Sequence, residues 1–283
     1  MSIKELDFTN LGEFATNPSF SSISAIIIAP SGGGKSSALK TLTGKVLYLH
    51  GPDEKHGAAQ ASGGKAEIVA YNWGIHPATK EKISAADSYD LIFKLLTREV
   101  IEGNGITAVA VDSATSLEKL VRSLPQWSAD CLSSKGVHNS FAESAVTQKY
   151  IDRVFERMFS LQEVVGVDLV VTCIADARSL LENGEYDDIK PRLSTFSVAE
   201  GTIQQFGEVL LVGPVTVNTA KGAVTGHCFQ FNGQVKRESK DEHGNTKKFL
   251  NFTPRITCKT PEGAKYPKLI KADLDLVKEI KNK

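Results

Sequence analysis

The sequence predicts an α/β fold, a mainly parallel central sheet flanked by helices with an antiparallel β-hairpin toward the C-terminus. Three observations lead there. Short apolar runs rich in β-branched residues (ISAIIIA, KVLYLH, ITAVAV, DLVVTCIA) alternate with segments of helical period, the pattern left by parallel strands joined through crossover helices. The first run leads directly through a glycine cluster, APSGGGKS at 29–36, into a helical stretch. After Pro214 the intervening helices stop and strand-like runs follow one another, which signals antiparallel pairing.

The elements follow in order. Ile23 to Ala29 is the first strand, and Ser36 to Thr43 opens a helix after the glycines. Lys45 to His50 is a second strand and Ala66 to Trp73 contains a third. Ser88 to Glu102 reads as a helix, with Leu91, Ile92, Leu95, Leu96 and Val100 at helical spacing, stopped by Gly103-Asn104-Gly105. Ile106 to Val111 is a strand ending at Asp112, followed by a short helix to Leu124 that Pro125 stops. Residues 125–143 are polar and turn-rich and read as a loop. Ser144 to Val165 is a long amphipathic helix carrying Tyr150, Val154, Met158, Leu161 and Val165. Asp168 to Ala175 is a buried strand, 176–206 a second long polar segment, and Glu208 to Val212 a further strand. Strands near 224–235 and 248–258 are joined by the charged stretch RESKDEHGNTKK, and a short solvated amphipathic helix is expected near 272–281. The division is an N-terminal segment 1–20, a core domain 21–270 with a hairpin extension at about 214–260, and a tail 271–283.

Composition narrows the function classes. A chain of 283 residues holds one large α/β domain, with at most a small appendage. Lys+Arg and Asp+Glu balance at 33 each, so no global basic field announces nucleic acid, although a local basic groove can sit on a neutral protein. No apolar run approaches the ~20 residues of a membrane span, and the polar start MSIKELDFTN is not that of a secretory signal. The four cysteines include no CxxC pair and have no histidines at zinc spacing. They read as reduced thiols in a cytoplasmic compartment. His227-Cys228 with Cys258 is compatible with a fragment of a metal site, but adjacent β-strands account for it better.

The glycine cluster carries the chemistry. Gly32, Gly33 and Gly34 let successive amides curl toward one anion, and the following helix start adds its positive end. Lys35 would reach the β- and γ-phosphates of a nucleotide, and Ser36 would offer a hydroxyl to Mg²⁺. Pro30, Ser31 and Ser37 complete the loop, and Ala29 stands where such loops usually begin with glycine. A second acid must help to hold the metal. Asp112, ending the apolar run ITAVAVD, is placed for it, the alternative being a cap for the next helix. For orienting water, Glu54 is the preferred base and Asp53 the second, since both follow KVLYLH at the carboxyl edge where ligands of parallel sheets bind; a solvated acidic turn is the competing reading.

With these motifs the chain resembles the RecA-like P-loop ATPases, closest to the phage RecA-like single-strand-annealing ATPases. The resemblance is carried by APSGGGKSS (29–37), Asp53-Glu54, AVAVDSATSLEKL (108–120), DLVVTCIADAR (168–178), GEVLLV (207–212) and ITCKTPEGAKYPKL (256–269), and spans about residues 20 to 270. It implies a RecA-like core, ATP and Mg²⁺ as cofactors, DNA-stimulated ATP hydrolysis, and single-stranded DNA binding with annealing or recombination. It also implies a homo-oligomer, ring or filament, with ATP between subunits, a single-strand DNA-binding protein as a further partner, and a phage gene acting in the host cytoplasm. The sequence departs from the family at the sensor position, where Ile174-Ala175-Asp176 stands in place of Gln or His; Asp176 or Thr172 could substitute. It also lacks room before the first strand for an N-terminal oligomerisation domain.

On the resemblance, the segments 125–143 and 176–206 match the DNA-facing loops. Arg178, Lys190 and Arg192 with Phe196 combine cations with a stacking ring, which suits single strands, while Glu182, Glu185, Asp187 and Asp188 weaken that reading. In the earlier segment, Trp127, Lys135 and His138 are the corresponding residues. A basic finger from the next subunit could come from Lys247, Lys248, Lys259 or Lys265, although a charged hairpin tip also blunts an exposed edge. The competing functions are a P-loop ATPase acting on protein partners without DNA, and, more weakly, a nucleotide kinase.

Overall fold

The computed structural model describes residues 21–54, 57–177, 189–219, 222–230, 235–240, 246–252 and 269–282. Its frame is the parallel set β1 (Ser24–Ala29), β2 (Gly44–His50), β3 (Ala66–Asn72), β4 (Ala108–Asp112), β5 (Asp168–Ala177) and β7 (Glu208–Thr219), in the spatial order β3-β2-β4-β5-β1-β7. Two more strands extend it beyond β7. β8 (Gly222–Gln230) pairs antiparallel with β7, and β11 (Leu269–Lys271) pairs antiparallel with β8.

Both faces of the sheet are buried, which is why its strands read as continuous apolar runs rather than alternating ones. In β1, Ile26 and Ile28 point to one core cluster and Ala25, Ile27 and Ala29 to the other. The first face is covered mainly by α3 (Ala85–Leu95), α4 (Arg98–Gly103), α5 (Ala114–Arg122), α7 (Glu143–Val165) and α8 (Phe196–Gln204). They contribute, among others, Ile92, Leu117, Val154, Phe155 and Ile203. The second face is covered by α1 (Lys35–Ala38) with the 3-10 turn Leu39–Thr41, by α2 (Gly57–Ala61) and by the C-terminal helix α9 (Leu274–Lys281).

Several expectations are corrected. The helix after the glycines does not reach Thr43. It is one α turn and one 3-10 turn, and Leu42 is extended; the Thr41 hydroxyl donates back to the Ala38 carbonyl at 2.6 Å and accepts from the Leu274 amide of α9 at 2.8 Å. The expected helix 88–102 is two helices, broken at Leu96, where the Thr97 hydroxyl caps α4 through the Val100 amide. Residues 125–143 are not all loop. Pro125 starts the short helix α6 (Pro125–Asp130), and Trp127 is buried with its indole N–H donating to Thr147 Oγ at 2.9 Å. Within 176–206 the structure forms β6 (Ile189–Pro191), antiparallel to the end of β5, and α8.

The charged stretch connects two strands, but other ones than those expected near 224–235 and 248–258. It builds strands itself, β9 (Val235–Lys240) and β10 (Thr246–Phe252), which pair antiparallel and join the end of β5 through β6. The C-terminal helix is solvated on one side only. Leu274 and Val277 are fully buried, Lys278 Nζ meets Asp168 at 2.9 Å, and Lys281 Nζ meets the fully buried Glu208 at 3.1 Å. Among the described residues no helix is long and apolar enough to cross a membrane.

Candidate functional site

The carboxyl ends of β1, β2, β4 and β5 converge on one cleft. Its lining includes Ser31, Gly32, Gly34, Lys35, Ser36, Ser37, Glu54, Gln60, Ile174 and His227, and its volume is about 370 Å³, within the range of small-molecule sites. The loop after β1 closes by a Gly33 N–H to Pro30 carbonyl bond of 3.1 Å. Gly32 and Gly34 lie at φ +77° and +95°, where a side chain would be strained. A β-carbon on Gly33 would also sit 2.7 Å from the Ala29 β-carbon, so the turn needs glycine there for space.

Lys35 and Ser36 follow this turn and are both buried. Lys35 folds back, its Nζ donating to the carbonyls of Ala29 at 3.1 Å and Pro30 at 2.9 Å. Burial pushes its pKa down; the negative charges of Asp112 and Glu54 oppose that shift, and nearby Arg192 adds to it. A buried ammonium whose hydrogen-bond partners are carbonyls is a group that an incoming anion would stabilise.

Ser36 Oγ donates to Asp112 Oδ2 at 2.9 Å, 76 residues away in sequence. The Asp112 carboxylate also accepts from the hydroxyls of Tyr48 on β2 and Thr172 on β5. Tyr48 and Thr172 come from the two strands that flank β4, whose parallel register puts His50 beside Asp112 and Val111 beside Val171, while Ser36 comes from α1. The Tyr48 phenol is driven well above its ordinary pKa by burial and by Asp112. Asp112 is followed by a cis peptide to Ser113, and Ser113 caps α5 through the Ser116 amide. The cap expected of Asp112 therefore belongs to its neighbour.

Glu54 and Asp53 both line the cleft and differ in their partners. Glu54 Oε1 accepts from Ser113 Oγ at 3.2 Å and Ser116 Oγ at 3.4 Å. Burial, then Asp112, raise its pKa, while the Ser113 hydrogen bond and Lys35 pull it down. Asp53 instead pairs with Lys119 at 2.7 Å on the exposed rim. A larger cleft of about 830 Å³ lies beyond Asp53, floored by Trp73 and Leu120, and contains none of the glycine-loop residues.

The structure thus brings Pro30 through Ser37, Glu54 and Asp112 together. Among the DNA candidates, Arg192 is exposed and its amide is tied to the Ile174 carbonyl at 2.8 Å. Lys190 falls on β6 and Phe196 at the first position of α8, rather than in a loop; Arg178 lies outside the described residues. Of the finger candidates, Lys247 and Lys248 fall on β10, and Lys259 and Lys265 lie outside the described residues. Of the sensor substitutes, Thr172 touches Asp112. The sequence reading weighed His227 only as a metal-site fragment or a strand residue, and did not single out Glu118. His227 packs against the glycine loop from β8, and Glu118 accepts the Ser194 amide at 2.9 Å on both carboxylate oxygens, anchoring the segment after Arg192.

The donor set suits a magnesium–triphosphate. Ser36 and Asp112 offer one hydroxyl and one carboxylate within hydrogen-bond distance of each other. Among the described residues no group of three or more His, Cys, Asp or Glu could hold a metal by itself. A hard divalent ion held here would complete its octahedral shell with phosphate and water. Neither the scan against protein-family models nor the search of curated proteins gave a match.

Proposed function

We propose that this protein is an ATP-binding and ATP-hydrolysing P-loop protein with a RecA-like core, acting on single-stranded DNA. The observation that carries the reading is the Ser36–Asp112 contact of 2.9 Å beside the buried Lys35. A hydroxyl and a cation from the helix that follows β1, and a carboxylate from the end of β4, are what a metal-bound triphosphate requires at one point.

In this reading the amides of residues 32–36 hold the phosphates. Lys35 leaves its two carbonyls and neutralises the terminal phosphoryl group. Ser36 and Asp112 hold Mg²⁺, which supplies charge neutralisation at the phosphate oxygens. Glu54, fixed by Ser113 and Ser116, orients the attacking water and takes its proton. The raised pKa of Glu54 suits that role, since a base gains proton affinity as it approaches the operating pH.

The test is binding of Mg·ATP and its turnover by the wild type and by Lys35→Ala, followed with thermal stability. The wild type should be stabilised by Mg·ATP through mass action, and Lys35→Ala should lose both stabilisation and turnover. Retained binding and turnover in Lys35→Ala would sink the assignment.

The DNA part rests on the resemblance, with support from Arg192, which is exposed and attached to the cleft through Ile174. A second reading, an ATPase acting on a protein partner, is favoured by one observation. Leu132, Val137 and Phe141 expose 47%, 65% and 95% of their surface between α6 and α7, and apolar side chains gathered at one exposed place suit a protein interface.

A further inference from the structure

We propose that His227 receives the nucleoside half of the bound nucleotide, its imidazole stacking on the base. This rests on the nucleotide reading above and adds a residue that no motif in the chain marks.

Strand register puts His227 there. β7 pairs with β1 up to Ile28 opposite Leu211, then runs on past the end of β1. On that overhang Pro214 pairs with His227 of β8, so the histidine sits above the carboxyl edge of the sheet, over the glycine loop. Its Cδ2, Cγ and Nε2 lie 2.5, 2.8 and 3.1 Å from where a β-carbon on Gly34 would stand. Glycine at 34 is thus required twice, by its φ of +95° and by the ring that rests on it.

The ring is exposed, lines the cleft, and makes no side-chain hydrogen bond among the described residues. Burial does not account for its position, because it is not buried. A flat aromatic face held at the mouth of the cleft can serve any base, since every base presents a π-face.

The order of the strands sets which half of the nucleotide it meets. Glu54 follows β2 and Asp112 ends β4, both on one side of β1. These groups, with Ser36, fix the terminal phosphate and its metal on that side. β7 and β8 lie on the opposite side of β1. A nucleotide held across the loop with its terminal phosphate toward Asp112 extends its nucleoside toward His227.

The experiment compares Mg·ATP with magnesium–tripolyphosphate, which has the phosphates and lacks the nucleoside. Calorimetric titrations of both into the wild type, His227→Ala and His227→Phe separate the halves of the ligand. His227→Ala should bind Mg·ATP about tenfold more weakly, the scale of one lost base stack, and bind tripolyphosphate as the wild type does. His227→Phe, which keeps a flat ring, should recover most of the ATP affinity. Equal ATP affinity in the wild type and His227→Ala would overturn the proposal, as would an equal loss for both ligands, which would make His227 a support of the loop. A wild type that bound neither ligand would overturn the nucleotide reading itself, so the two failures are distinct.

Discussion

Glu54 is where the chemistry of this site is most open to measurement. Its carboxylate is partly buried near the charge of Asp112, and burial together with that charge lifts its pKa above the ordinary 4.5. A base must be deprotonated to work, so turnover should fall as pH drops through the raised pKa, at higher pH than an exposed carboxylate would give. The hydroxyls of Ser113 and Ser116 and the Lys35 ammonium limit the rise. Glu54→Gln should cost roughly 10²–10⁴-fold in turnover, the usual worth of a positioned acid–base group, and should abolish the acid limb of the profile. Asp53→Asn, at a rim carboxylate held by Lys119, should leave both nearly unchanged. The profile of kcat against pH for the three proteins decides it. A limb that survives in Glu54→Gln would assign the base elsewhere.

Helix α9 shows how an element at the end of the chain can secure the sheet that carries the site. Its Lys278 and Lys281 reach the first residues of β5 and β7, Asp168 and Glu208, while Leu274 and Val277 fill the second core face. Lys281→Met removes an ammonium from beside the buried Glu208 carboxylate and should destabilise the protein by about 3 kcal/mol, since breaking a buried pair costs more than removing it whole. The double variant Lys281→Met with Glu208→Gln should recover part of that loss, which chemical denaturation of the three variants would measure; no recovery would mean that the pair is not coupled. None of this was legible in DLDLVKEIKNK, which reads as a solvated amphipathic helix because the acids it meets lie 110 and 73 residues earlier in the chain. What the sequence did show were the strands, since two buried faces force runs such as ISAIIIA, and the glycine turn, since φ above zero and close packing select glycine at adjacent positions. The helix at Pro125–Asp130 was hidden by polar residues. It is anchored to α7 by the Trp127–Thr147 contact and by Lys149 and Tyr150 on Asp130, pairs that only the folded chain brings together. The place of His227 over the glycine loop was hidden for the same reason, since it depends on the pairing of β7 and β8.

At the scale of the whole molecule, the equal numbers of acids and bases mean that any DNA affinity must come from a local arrangement. Arg192 is the described residue best placed to couple such binding to the cleft. It is exposed, its amide is bonded to Ile174 on the cleft wall, and its charge works against that of Lys35. A DNA phosphate resting on Arg192 would screen that repulsion and favour the charged form of Lys35, the form that holds a terminal phosphate. Single-stranded DNA should therefore raise ATP turnover, and Arg192→Ala should lose the stimulation while keeping basal turnover. Anisotropy of a labelled oligonucleotide with ATP, ADP or no nucleotide, at two salt concentrations, reads the binding step directly. Affinity should weaken as salt rises, with a log–log slope of about −0.7 per phosphate neutralised on a single strand. Turnover that stays flat across a DNA titration, with no salt-sensitive affinity, would sink the DNA reading and leave the ATPase acting on a protein partner, for which exposed Phe141 and its apolar neighbours supply the contact.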